Sequence, residues 1–194
     1  MLEEIKQQIK NCRDCESIFG FEPHPVFWGH EDSKIVQISQ APSLKVHQSG
    51  KPFTDMSGKT LKQEWYQISD EDFYNQDNFY IGAMAHCYPG KHKNGNDRKP
   101  PKRCFQKWVQ QEVKLIHNEI YIIIGASAAK EFFPESSFKQ LVFENQVWNN
   151  KLTFVLPHPS PLNRRWLKNH PEFTEKRLPE IRETLHQIIR KRDN

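Results

Sequence analysis

The sequence predicts an α/β fold of three layers, αβα, around a central, mainly parallel four-stranded sheet. Three observations lead there. Four short apolar runs, 34–38, 79–85, 120–124 and 152–156, are continuous rather than alternating, as in strands buried on both faces. Helical periodicity fills the gaps between them, so strands alternate with helices. The chain has 194 residues, enough for one domain with its own core, and a single domain over 1–194 is expected.

The elements follow in order. Leu2, Ile5 and Ile9 stand at helical spacing and predict a short amphipathic helix over 2–10. The first strand, 34–38, opens into Ser39-Gln40-Ala41-Pro42-Ser43. A turn-rich stretch from Gly50 to Gly58 follows. Asp55 or Ser57 there can cap the next helix, in which Leu61 and Trp65 share a face. Ser57-Gly58-Lys59-Thr60 imitates the end of a phosphate-binding loop. Phe53 stands where that motif needs its first glycine, so an NTPase is rejected. The second strand, 79–85, ends at His86-Cys87 and a long basic loop from Tyr88 to Pro101, before a helix over 103–117. Ile120 to Ile124 is the most strand-like stretch, five apolar residues closed by Gly125. The small residues of Ala126-Ser127-Ala128-Ala129 start a helix that can pack closely on the sheet. Phe143 to Val147 supplies a small extra strand or hairpin before the last core strand. Leu178, Ile181, Leu185, Ile188 and Ile189 mark a closing amphipathic helix.

Composition narrows the partners. The net charge of +4 is a mild basic bias, compatible with a polyanion. No apolar run approaches membrane-spanning length, and Met1-Leu2-Glu3-Glu4-Ile5-Lys6 does not read as a signal peptide. A cytoplasmic monomer with no membrane partner is expected.

The four cysteines fall as Cys12-x2-Cys15, then Cys87, then Cys104. A disulfide framework does not suit a cytoplasmic protein of this size. Scattered buried thiols would explain Cys87 or Cys104 singly, but not the close pair. C-x2-C lets two thiolates reach one metal centre from a single turn, and two more cysteines complete either a zinc site or a 4Fe–4S site. Zinc sites more often come as two close pairs. Here the second pair is widely separated, so iron–sulfur leads and zinc stays the alternative.

The last core strand runs into Pro157-His158-Pro159-Ser160-Pro161-Leu162-Asn163-Arg164-Arg165. Three prolines in five residues stiffen the backbone and hold His158 and Ser160 extended. A stiff loop at a strand's C-terminal end is where open α/β sheets place ligand chemistry. One imidazole, one apolar tip and two guanidiniums suit a site that meets an anionic polymer and reaches past its backbone. Taken singly, each of these residues reads as a turn, a cap or a solvated charge; their joint pattern carries the argument.

Together these features resemble the iron–sulfur uracil-DNA glycosylases of the family 4 type, over nearly the whole chain. The cysteines match that family's cluster ligands in order and approximate spacing. Ser39-Gln40-Ala41-Pro42-Ser43 stands where the family has Gly-Glu-Ala-Pro-Gly, and Gly50-Lys51-Pro52-Phe53 matches its Gly-x-Pro-Phe. Ile123 to Ala129 resembles its Leu-Gly-x-x-Ala helix start. His158-Pro159-Ser160 matches its final motif, and Pro161-Leu162 resembles the His-Pro-Ser-Pro-Leu loop of the family 1 enzymes.

The resemblance implies base flipping and hydrolysis of the N-glycosidic bond of uracil or a related deaminated base in DNA. It implies Phe53 stacking on the base, with Ala41 beside it, and His158 donating to uracil O2. Leu162 would wedge into the stack, and Ser160, Arg164, Arg165 and Lys99 would hold phosphates. A structural 4Fe–4S cluster would sit on Cys12, Cys15, Cys87 and Cys104. Two positions depart from the pattern. The family's motif Glu is Gln40, which can orient a water but carries no charge. The uracil-reading Asn expected four positions before the third cysteine is Ala83. Asn163, His86 or His47 are candidates to read the base instead, and Asp55 is the candidate to restore a carboxylate near the sugar. The competing expectation is an iron–sulfur DNA- or nucleobase-binding protein of the same fold without glycosylase activity.

Overall fold

Strand positions follow the apolar runs closely. The computed structural model describes residues 1–95 and 97–191; residues 96 and 192–194 of the expected 1–194 domain lie outside the described residues. The strands are β1 (Ile35–Ser39), β2 (Phe79–Ala83), β3 (Ile120–Ile124), β4 (Gln146–Trp148) and β5 (Lys151–Leu156). Among the described residues they form one five-stranded sheet in the order β2-β1-β3-β5-β4. β2, β1, β3 and β5 are parallel, and β4 pairs antiparallel with β5. The expected four-stranded sheet therefore gains a fifth, short edge strand, the hairpin anticipated near Phe143–Val147. Every residue of β1, β2 and β3 is buried. Successive side chains point to opposite faces of a sheet, so both faces are covered.

The helices supply that cover. They are α1 (Leu2–Lys10), α2 (Glu16–Phe19), α3 (Leu44–Ser49), α4 (Met56–Lys59), α5 (Asp70–Tyr74), α6 (Lys102–Cys104), α7 (Gln110–Glu112), α8 (Ala126–Phe132), α9 (Phe138–Phe143), α10 (Arg164–Asn169) and α11 (Leu178–Arg190). π-helical turns continue three of these runs, at Thr60–Tyr66, Phe105–Val109 and Phe173–Arg177. α11 buries Leu178, Ile181, Leu185 and Ile188, the predicted stripe. In α1 the stripe differs from expectation. Lys6 is buried where Ile5 was expected, because its ammonium donates to the Gly29 carbonyl at 2.7 Å and pairs with Glu3 at 2.9 Å.

Two boundaries moved for identifiable reasons. β2 stops at Ala83 rather than residue 85, because its neighbour β1 ends at Ser39, opposite Ala83. Beyond that pair there is no strand left to bond, and the Met84 amide closes on the Ser39 carbonyl at 2.9 Å. The helix expected over 103–117 runs from Lys102 to Leu115 through α6, a π-turn, α7 and a last 3-10 turn, and Ile116 is already extended. No described helix is long and apolar enough to cross a membrane.

Candidate functional site

After β1 the chain crosses to β2 on one side and later to β3 on the other. Such a switch point opens a crevice at the carboxyl ends of the strands. A cleft of about 500 Å³ lies there, lined by the segments that leave β1, β2 and β5 and by the turn before α4.

Each wall is braced by its own backbone. The Ser43 side chain caps α3 by accepting from the Val46 amide at 3.3 Å, which fixes the Gln40-Ala41-Pro42 turn. Gln40 and Ala41 are half-buried in the cleft wall, and Ala83 closes the end of β2 behind them. Asp55 is the N-cap of α4, accepting from the Gly58 amide at 3.0 Å through Oδ1. The cap foreseen in the sequence is therefore present, and Asp55 also lines the cleft. Phe53, two residues earlier, has φ of 53°, left-handed territory that non-glycine residues enter uncommonly.

The proline loop brings His158 in from β5. Its Nδ1 accepts a hydrogen bond from the Ser160 amide at 3.2 Å, so the ring proton sits on Nε2. Burial lowers the imidazole below its ordinary value, with the nearby Asp55 carboxylate opposing. A neutral imidazole with an Nε2–H donor follows. Gly125, with φ of 94°, packs behind the ring; a Cβ built there would stand 3.6 Å from His158 Cδ2. Space is not the constraint at Gly125; the backbone angle is.

The rest of the loop ties itself down. Asn163 donates from Nδ2 to the His158 carbonyl at 3.1 Å, and Ser160 Oγ accepts from the Leu162 amide at 3.3 Å. Leu162 itself is 95% exposed, the most exposed large apolar side chain described. Arg164 and Arg165 begin α10 and are exposed.

The Uracil DNA glycosylase superfamily profile matches residues 26–182. The chain belongs to that superfamily. The chain is also similar to a type-4 uracil-DNA glycosylase of Thermotoga maritima, at 19% identity over 132 residues. That match covers 68% of this chain and 66% of that protein, just under two thirds of its length.

Within the superfamily frame, the expected site residues divide. His158, Gln40, Asp55, Phe53, Ala41, Ala83, Asn163, Ser160 and Leu162 all line the one cleft. Arg164, Arg165 and Lys99 lie outside its wall, exposed. Neither substitute for the missing amide, His86 or His47, reaches the cleft. His86 is 1% exposed and pairs with Glu112 at 3.0 Å. His47 packs against Phe21, His24 and Tyr88. Cations of the basic loop and of α6 are partly engaged by the protein itself: Arg98 donates to the Ile18 carbonyl at 3.0 Å, Lys102 pairs with Glu131 at 3.1 Å, and Arg103 reaches Cys15 Sγ at 3.7 Å. Sequence reasoning did not assign Tyr88 and Arg98 to the cleft wall, where both lie. Their only signal was membership of that loop.

A second pocket holds Cys12, Cys15, Cys87 and Cys104 together, with Ile9, Phe19, His86 and Trp108 around them. All four are free thiols. Burial pushes Cys87 and Cys104 up to about 12, and the neighbouring cysteines push the same way. Cys15 is raised by burial, against the pull of Arg103. Four thiols in one apolar pocket ionise together only if a cation offsets their charge. The chemistry of the donor set thus fits a thiolate-held metal centre. The side chains are not drawn in to ligating geometry: among the described residues no group of three or more His, Cys, Asp or Glu stands arranged as a metal-binding cluster.

Proposed function

We propose that this protein is a monofunctional DNA glycosylase that hydrolyses the N-glycosidic bond of uracil or a related deaminated base. The observation that carries the reading is His158, neutral, with Nδ1 occupied by the Ser160 amide and Nε2–H free to donate. When the bond between sugar C1′ and pyrimidine N1 breaks, the electron pair moves onto the base and negative charge grows on O2. A fixed donor at that oxygen stabilises the charge as it appears, and the two flanking prolines keep reorganisation small. The sugar becomes cationic at C1′. The Asp55 carboxylate stabilises that cation, and Gln40 orients the water that adds to it; the proton the water loses ends on the departing base anion, leaving an abasic site. Phe53 stacks on the flipped base, with Ala41 and Ala83 forming the rest of the wall.

Leu162 fits a wedge that fills the vacated stack, since its exposure of 95% serves no packing within the protein. Ser160, Arg164, Arg165 and Lys99 contact phosphates in this reading, and the three cations among them make binding weaken with salt. Cys12, Cys15, Cys87 and Cys104 hold a 4Fe–4S cluster, with zinc as the alternative. When bound, that group supplies structure, joining α1, the basic loop and α6. The chain acts as a cytoplasmic monomer and as one domain over 1–194, with DNA as its partner.

Gln40 and Ala83 support a second reading, an iron–sulfur DNA- or nucleobase-binding protein that has lost hydrolysis. Single-turnover assays on oligonucleotides carrying one altered base each decide between them. Metal-replete protein should release uracil or another deaminated base and leave an alkali-labile abasic site. DNA binding without release of any base gives the function to the second reading.

A further inference from the structure

The wall of the cleft formed by Phe53 is held from behind by side chains that the reaction itself does not use. Phe53 keeps its left-handed φ of 53° although no glycine relieves it. An unfavourable backbone angle persists only where the surroundings over-determine it. Here they do so from two sides. On one side is the backbone of α4: a Cβ added at Gly58 would stand 1.9 Å from the Phe53 carbonyl oxygen, so only glycine permits the approach. On the other side is the Tyr74 hydroxyl, 2.9 Å from the Pro52 carbonyl and 3.1 Å from that of Phe53. One phenolic proton is shared between two acceptors.

The phenol is itself held. Lys62, only 6% exposed, donates to the Tyr74 hydroxyl oxygen at 3.3 Å and pairs with Asp70 at 2.8 Å. Its ammonium also lies over the Tyr74 and Phe73 rings, at 4.7 Å and 5.6 Å. Lys51 approaches the same Tyr74 ring at 3.8 Å, and the Trp28 indole donates to the Tyr74 carbonyl at 3.0 Å. A donor on the phenol oxygen polarises its O–H toward the two carbonyls. Burial works against the Lys62 charge, but Asp70 and Tyr74 hold it above its ordinary value, so it stays an ammonium. Phe73 meets the Phe53 ring edge-on at 5.9 Å, backing the aromatic face as Tyr74 backs the peptide.

We propose that Lys62 and Tyr74 are positioning residues for Phe53. A buried ammonium orients a phenol, and the phenol fixes the Pro52-Phe53 peptide so that the Phe53 ring presents a flat, rigid face to a flipped base. The proposal rests on the glycosylase reading of the cleft. It assigns a specific task to a buried lysine that would otherwise be only a costly paired charge.

The test uses full-length, metal-replete protein and three readouts. Tyr74→Phe removes one oxygen and keeps the ring contacts; Lys62→Met removes the ammonium and keeps the length. Amide hydrogen exchange over residues 53–58 should quicken about tenfold in Tyr74→Phe, the scale of one lost hydrogen bond. The single-turnover excision rate should fall about tenfold with DNA affinity within twofold, because misplacement of the stacking wall affects chemistry and not phosphate contacts. The double variant should be no worse than the more damaged single one, as expected of groups acting in series. Fluorescence of 2-aminopurine at the flipped position should be quenched by wild type, less by Tyr74→Phe and least by Phe53→Ala. Wild-type exchange over 53–58 in Tyr74→Phe overturns the proposal, as does an excision rate within twofold of wild type. If wild-type protein excises no base, the glycosylase reading fails by itself, and exchange and quenching still decide the positioning role. Unchanged quenching in Tyr74→Phe then overturns it.

Discussion

The cleft at the strand ends and the cysteine pocket each gather chemistry-bearing side chains from several segments, but they are completed differently. In the cleft, the groups proposed for chemistry are held by partners in the chain itself: Asp55 by the Gly58 amide, His158 by the Ser160 amide, and the His158 carbonyl by Asn163. The cysteine pocket brings its thiols to one place but leaves Cys87 and Cys104 half-buried, with that burial pushing them up to about 12. The lesson is one of charge. A donor such as neutral His158 is preorganised by neutral hydrogen bonds from within its own loop, whereas four thiolates cannot be assembled without a cation.

This contrast predicts independent failures. The largest effect is expected from His158→Ala, which removes the donor and should lower excision by on the order of 100- to 1000-fold. DNA affinity should stay within a few fold, and any absorbance from the cysteine site should be unchanged. Excision at the wild-type rate would remove His158 from the chemistry; loss of the absorbance would show that the two sites are not independent.

Cys104→Ser tests the other region. Metal-replete protein should absorb broadly near 400 nm, as expected of a thiolate-held iron–sulfur centre, and the variant should lose that band. Its Tm should drop by roughly 10 °C, as expected when a structural centre coupled to folding is lost. Colourless protein with stoichiometric zinc would keep the four-ligand site and remove the iron–sulfur assignment.

The pH response isolates the His158 loop. Its folded value is lowered by burial below the ordinary 6.5. The unfolded chain therefore binds the proton more readily, and the stability linked to His158 is fully present above pH 6.5. It is lost as pH falls from 6.5 toward the lowered folded value. His158→Gln should flatten that part of the stability curve measured by thermal unfolding, and a curve of unchanged shape would contradict the buried neutral imidazole.

Smaller effects concern groups at the margin of the cleft. Gln40→Glu should raise the rate on uracil about tenfold by adding a second carboxylate, beside Asp55, near the developing sugar cation; a drop would mean that one carboxylate suffices and a second charge in the cleft is harmful. Arg164→Ala should weaken binding to all sequences alike and reduce the slope of log affinity against log salt by about one. An unchanged slope in titrations at several salt concentrations would take Arg164 out of the phosphate contacts.

Much of this was determined by sequence alone. Five consecutive apolar residues at Ile120–Ile124 can only be satisfied in a strand covered on both faces, and the predicted range is the observed one. The three prolines around His158 fix local backbone, so the loop's stiffness was legible residue by residue, as was the Asp55 cap. What the sequence could not show was every feature that depends on groups distant along the chain. β2 ends at Ala83 because β1 ends at Ser39, a fact about register. His86 is withdrawn from the cleft because Glu112 on α7 claims it, and Arg98, Lys102 and Arg103 are engaged by Ile18, Glu131 and Cys15. Nothing in the sequence marks Lys62 as buried; Asp70 and Tyr74 meet it only in the folded chain. Periodicity and proline act between neighbours, and a sequence displays neighbours. Pairing of charges and donors acts through space, and only the tertiary structure decides which of them meet.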